Sequence, residues 1–201
     1  MTDWTSLTYV VVDVEGNGQQ PPDLVELAVV PIFGGVIGEP ASWLVKPETP
    51  ITHFARRIHD ITNEAVADAP VFGDIKPAVL DALTAHGLKA DALIAHNAHV
   101  DVGALQRKLG EWECPEVFDT LKLARRLPPD AGSHKLGTLV DAFQLAEGLP
   151  EGLAPHRATY DALVTARLFV RLVTLPHARP LTVEEIRTKP GGGEDDTPAL
   201  F

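Results

Sequence analysis

Apolar residues are distributed along this chain in two rhythms. Over residues 7–14, "LTYVVVDV", they run almost without interruption, the pattern of a strand buried on both faces. Residues 24–33 repeat the pattern, and a third strand is expected across 36–45, bounded by Gly34-Gly35 and Pro47. Turns at 16–22 and at Gly34-Gly35 would join the three as a meander. The period then changes. Val71, Ile75, Val79, Leu80 and Leu83 share one helix face, and Gly87 follows as a stop. "DALIAHN" (91–97) reads as a short buried strand, 102–109 as a helix before Gly110, and "EVF" (116–118) as another short strand. A helix over 120–127 ends at Pro128-Pro129, and helical stretches at 136–145 and 158–175 complete the alternation. Antiparallel strands first and β/α alternation afterwards predict an α/β fold, a mixed central sheet of about five strands flanked by helices.

From about Arg179 the chain turns polar, with a Gly-Gly-Gly run and an acidic cluster. A single domain over 1–180 and a flexible acidic tail over 181–201 are therefore expected. Cys114 is the only cysteine, which excludes a disulfide within the chain and fits a reducing cytoplasm. No basic segment leads into an apolar stretch at the N-terminus, and no apolar run reaches the roughly 18 residues of a membrane span. The net charge of −11 is spread widely, since residues 1–180 still carry −8. This argues against a protein that grips nucleic acid through a basic surface. A polyanionic substrate would have to be met by local charge: metal ions, or the clusters Arg56-Arg57 and Lys122/Arg125/Arg126.

One feature of the first strand does not suit a core. Asp13 and Glu15 sit near its end, one residue apart, and alternate strand residues point to the same face. Two carboxylates about 4 Å apart repel by about 4 kcal/mol at an effective dielectric near 20. Either one takes a proton, or a cation neutralises them; hard divalent ions with oxygen ligands are natural partners. From this stretch alone, a strand that ends at Val14 and leaves both acids solvated in a turn is the plainer reading. Two further segments carry acids in telling places. In "LIAHNAHVDVGAL" (93–105) an apolar strand runs into a His-Asn turn and then Asp101, where a helix begins; an N-cap is the plain alternative for Asp101. In "APHRATYDALVTARLFVRL" (154–172) Asp161 lies within an apolar, periodic helix. His156 precedes it by five residues, about 140° around a helix, so the two can share a site only if His156 sits on the looser chain before the regular turns.

Asp-x-Glu at the end of strand one, the Asp of "HNAHVD" and the His-x4-Asp of "HRATYDA" together resemble the DEDDh group of DnaQ-like 3′→5′ exonucleases. The proofreading epsilon-subunit type and the ribonuclease T type are the nearest patterns. "IHDIT" (58–62), "FDTLKLAR" (118–125) and "HKLGTL" (134–139) extend the likeness, which covers most of residues 7–173. The resemblance implies an RNase H-like fold in which Asp13, Glu15, Asp101 and Asp161 hold two Mg²⁺ or Mn²⁺ ions. His156 would be the general base, and the substrate a single-stranded DNA or RNA 3′ end losing 5′-mononucleotides. Charge balance agrees, because two divalent ions neutralise four carboxylates.

The chain also departs from that pattern. Gly16-Asn17 stands where relatives carry a Thr-Thr or similar pair that contacts the terminal nucleotide, and Val100 and Ala104 replace frequent phenylalanines. Gly16, Asn17, His96, Asn97 and Val100 are the expected substrate contacts, with His96 and Asn97 alternatively fixing the turn that presents Asp101. Asp119 reads as an N-cap and His59 as a turn residue. The tail ends "GGGEDDTPALF", a tether finishing in Leu200-Phe201 that resembles peptides docking on sliding clamps, so a polymerase or clamp contact is an expectation there. The resemblance also admits a homodimer.

Overall fold

The computed structural model describes residues 2–85, 87, 89–126, 132–174 and 179–187. The central strand is β1 (Thr8–Gly16), paired antiparallel with β2 (Leu24–Phe33) on one side and parallel with β5 (Ala92–Ala95) on the other. Strand β6 (Glu116–Asp119) extends the sheet parallel to β5. The far edge of β2 carries both β3 (Val36–Ile37) and β4 (Ala41–Leu44), so the sheet has six strands in the order β3-β2-β1-β5-β6 with β4 also on β2.

The single strand expected over 36–45 is thus two. Ile37 pairs with Ile32 and Ala41 with Val29, which leaves residues 38–40 opposite Val30 and Pro31. Pro31 has no N–H to donate and Pro40 none either, so the ladder lapses there, with Gly38 N–H reaching the Pro31 carbonyl at 2.8 Å.

Among the described residues the α-helices are α1 (His53–His59), α2 (Phe72–Leu83), α3 (His99–Leu109), α4 (Thr120–Arg126), α5 (Leu136–Phe143), α6 (Ala158–Thr174) and α7 (Val183–Arg187). Two cores lie on opposite faces of the sheet. Val10, Val12, Leu27 and Val29 pack against α2 and α3, while Tyr9, Val11, Ala28 and Val30 pack against α5 and α6. Trp4, Tyr9, Phe118 and Phe169 form an aromatic group at the second face, with Tyr9 and Phe169 centroids 5.2 Å apart. The alternation of β1 therefore aims Tyr9 and Val11, and two residues further Asp13 and then Glu15, toward α6.

The domain boundary expected at 180 cuts through packed structure. Leu181, Val183 and Ile186 are buried, Val183 N–H bonds to the Thr2 carbonyl at 2.9 Å, and Arg126 donates to the carbonyls of Glu185 and Ile186. These apolar positions dock α7 despite the acidic residues between them, and Arg126 is half-buried rather than part of a solvated basic face. The rest of the tail expected over 181–201, with its clamp-like Leu200-Phe201 ending, lies outside the described residues. Among the described residues, no helix is long and apolar enough to cross a membrane.

Candidate active site

The end of β1 brings Asp13 and Glu15 to the first turn of α6, and their carboxylate oxygens lie within 4.8 Å of one of Asp161. Asp101 is buried at the start of α3, and its Oδ1 accepts the Val14 N–H at 3.0 Å. That bond ties it to the strand between the other two acids. Oδ2 of Asp13 is sealed from solvent and has no hydrogen-bond partner. A buried carboxylate oxygen without a donor is costly; Glu15 and Asp161 each bring a carboxylate oxygen close to this residue, while Asp101 stands outside that close trio. Oxygen-only donors, convergent and short of positive charge, fit a hard divalent cation.

The electrostatics are those of acids held apart from their counter-charge. Burial, then Asp101, Asp161, Glu15 and Glu26 in that order, push the Asp13 carboxyl well above its ordinary range. Burial followed by Asp161 and Glu26 raises Glu15 to about 8. Burial raises Asp101 to about 8 despite the Val14 bond, and Asp161 to about 6 although the His156 charge and backbone bond oppose it. Without metal, the folded state therefore holds protons that the unfolded chain releases near pH 4. Between about pH 5 and 8 the folded protein binds more protons, so its stability falls as pH rises through those raised values. In EDTA the melting temperature should drop steadily from pH 5 to pH 8, and saturating Mn²⁺ should abolish or reverse that slope. Thermal melts across this range measure it, and a flat metal-free profile would count against a cluster of this kind.

His156 stands outside α6, which starts at Ala158, and it has φ of 61°. The residue sits on the turn before the helix, where sharing a site with Asp161 would require it, and it is exposed.

The five expected substrate contacts divide. Asn17 is fully buried; its Oδ1 accepts the N–H groups of Gln19 and Asp23, and its Nδ2 donates to Thr49. It organises the 16–23 loop from within, and its side chain is closed to substrate. Gly16 lies at an irregularity in the β1–β2 register, and its carbonyl accepts the His59 Nε2–H at 3.2 Å. His59 is buried, and its Nδ1 accepts the Ile61 N–H, which leaves the proton on Nε2. His59 is a brace behind the Glu15–Gly16 turn. His96 is committed to Thr120 and to the His134 carbonyl, and so fixes its turn. Asn97 adopts the left-handed conformation with φ of 68°, its N–H held by Asp119, which also caps α4 through Leu121. Val100, 47% exposed, remains the apolar surface next to Asp101.

Two residues escaped the sequence reading. Glu26 is buried near the start of β2, directly opposite Glu15, and it receives Arg157 and the Ala158 N–H. The available signal was a lone acid inside an apolar ten-residue strand.

A mixed sheet whose central strand delivers paired acids to the N-terminal turn of a flanking helix defines an α/β enzyme of RNase H-like fold. Residues 10–169 match the RNase_T family, described as Exonuclease. The chain is 37% identical over 163 residues to Exodeoxyribonuclease 10 of Escherichia coli strain K12, covering 81% of this chain and 67% of that protein. It is 35% identical over 173 residues to the PolC-type DNA polymerase III of Bacillus subtilis, where 83% of this chain spans only 11% of the relative. A solved structure of Exonuclease X in complex with 5′ overhanging duplex DNA superposes with a TM-score of 0.69 at 34% identity, covering 89% of this chain and 96% of that one. This chain belongs to the exonuclease family and is a DEDDh-type nuclease acting on nucleic acid.

Proposed function

We propose that the protein is a metal-dependent 3′→5′ exonuclease that releases 5′-mononucleotides from the 3′ end of single-stranded DNA, working in the cytoplasm. The observation that carries the reading is the convergence of carboxylate oxygens of Asp13, Glu15 and Asp161 within 4.8 Å of one another, with Asp13 Oδ2 buried and without a donor. DNA is favoured over RNA by the names of two relatives, an exodeoxyribonuclease and an exonuclease bound to DNA.

Asp13, Glu15, Asp101 and Asp161 would hold two Mg²⁺ or Mn²⁺ ions. When bound, such ions supply water activation and stabilise charge on the attacking and leaving oxygens of an in-line displacement. His156 takes the proton from the attacking water as its oxygen bonds to the terminal phosphorus. The 3′ oxygen of the penultimate nucleotide departs and takes up a proton, leaving a chain one residue shorter with a free 3′ hydroxyl. Val100 offers the apolar surface for the terminal base, and the turn at Gly16 admits the sugar closely. The local positive charge comes from the ions, so an acidic body is compatible with a polyanionic substrate.

The test uses 5′-labelled and 3′-labelled oligonucleotides, as single-stranded DNA, as RNA and as a duplex with a recessed 3′ end, with Mg²⁺, Mn²⁺ or EDTA. A metal-dependent ladder descending from the 3′ end of 5′-labelled DNA is expected, with immediate mononucleotide release from the 3′-labelled strand. Faster loss of RNA would overturn the sugar preference. Shortening from the 5′ end, or cleavage in EDTA, would overturn the mechanism.

A further inference from the structure

Glu26 is 6% exposed and pairs in register with Glu15, so both project from the same face of the β1–β2 ladder. It nevertheless does not join the metal-binding acids. Its Oε1 accepts Arg157 Nη2 at 2.5 Å, while Oε2 accepts Arg157 Nε at 3.0 Å and the Ala158 N–H at 2.8 Å. The guanidinium meets the carboxylate as a two-pronged fork, the most directional arrangement available to such a pair. The Ala158 bond satisfies one of the N–H groups left over at the first turn of α6, from a strand 132 residues away in the chain. All three donors come from the two residues that follow His156.

His156 itself has φ of 61°, a conformation that a non-glycine residue keeps only when its surroundings hold it. On one side its backbone bonds to the Asp161 carboxylate. On the other, the chain passes at once into the grip of Glu26. We infer that the Glu26–Arg157 clasp is a positioning device: it anchors the turn before α6 so that the His156 ring is presented to the attacking water, and it acts on turnover through His156. This rests on the reading of His156 as general base. Arg157 keeps a side-chain exposure of 43%, so direct contact with a substrate phosphate is the rival role, and the two roles move different constants.

Arg157→Ala strands a buried carboxylate, so Arg157→Lys is the deciding variant: it keeps the charge and loses the fork. Displacing a reacting group by an ångström costs up to about 100-fold in rate, so Arg157→Lys should lower kcat about 10-fold and Arg157→Ala about 100-fold, with KM within about threefold. Glu26→Gln, which retains the shape of the acceptor, should fall between wild type and Arg157→Ala. In a His156→Ala background, Arg157→Lys should change kcat by less than about twofold, because its route of action is already gone. In the metal-free protein, Arg157→Lys should shift the His156 ring signals and speed amide exchange at Ala158, with the melting temperature little altered.

Folded variants that keep wild-type kcat overturn the clasp, as does a large rise in KM at constant kcat, or an undiminished Arg157→Lys effect without His156. A wild-type protein inactive on every labelled oligonucleotide would instead bring down the nuclease reading and the clasp with it. Active wild type beside unaffected variants removes the clasp alone.

Discussion

Asp13→Asn is expected to leave the protein folded, nearly inactive and more stable without metal than the wild type. The carboxylate lies where like charges meet: Asp101, Asp161, Glu15 and Glu26 all raise its proton affinity, and its Oδ2 has no donor. The amide has the same shape, carries no charge and brings two donors into a space crowded with acceptors. Part of the repulsion in the wild type is already relieved by bound protons, so the metal-free gain is about 1 kcal/mol, within the range of typical stabilising substitutions. The loss of rate is far larger. A carboxylate that would hold the proposed cations supports several kcal/mol of charge stabilisation, so activity should fall by about 10³-fold or more. Metal also stabilises in proportion to differential binding, about 2.7 kcal/mol at a hundredfold excess over Kd, and the variant should forfeit most of this. The two melting curves should therefore cross: Asp13→Asn melts above the wild type in EDTA and below it in saturating Mn²⁺. Equal melting temperatures in both conditions, or retained activity, would mean that Asp13 is not at the centre of a cation site. The opposing signs make this a choice of function over stability written at one residue.

Parts of this arrangement could be read before any coordinates, for identifiable reasons. A period of two is a local property, so Val11, Asp13 and Glu15 could be placed on one face of a strand from their spacing, and β1 shows them aimed at α6. The extent of β2 followed from its apolar run, interrupted by a single acid. The position of His156 off the helix followed from the 140° that five helical steps would impose. What depended on distant partners could not be read. The break between β3 and β4 is set by Pro31 in a neighbouring strand. The burial of Asn17 depends on Thr49 and Asp23, and a polar residue between two glycines looks like any exposed turn. Leu181, Val183 and Ile186 were hidden among acids and did not form a helical stripe long enough to register. Glu26 and Arg157 each look ordinary alone; only a pairing across 131 residues gives them a role.

His156→Ala separates the chemistry of proton transfer from that of metal binding, and it should do so cleanly because of where the residue sits. The imidazole is exposed on a turn, outside the helix and outside the trio of converging carboxylate oxygens. Its loss removes no oxygen ligand and opens no cavity, so Mn²⁺ affinity by calorimetry should stay within about twofold and the fold should hold. The backbone bond to Asp161 does not depend on the side chain, and the Glu26–Arg157 pairing remains to hold the turn. Turnover, by contrast, should fall by about 10²–10⁴-fold, the usual contribution of a placed general base. Because the vacated position opens to solvent, millimolar imidazole should restore part of kcat in the alanine variant and do nothing for Asp13→Asn, whose defect lies in the ligand set. Asp161→Asn provides the converse, with metal affinity and rate damaged together. If His156→Ala keeps near-normal turnover at saturating Mg²⁺, the proton must leave by another route, and the strained turn at residue 156 would then require a reason unconnected with catalysis.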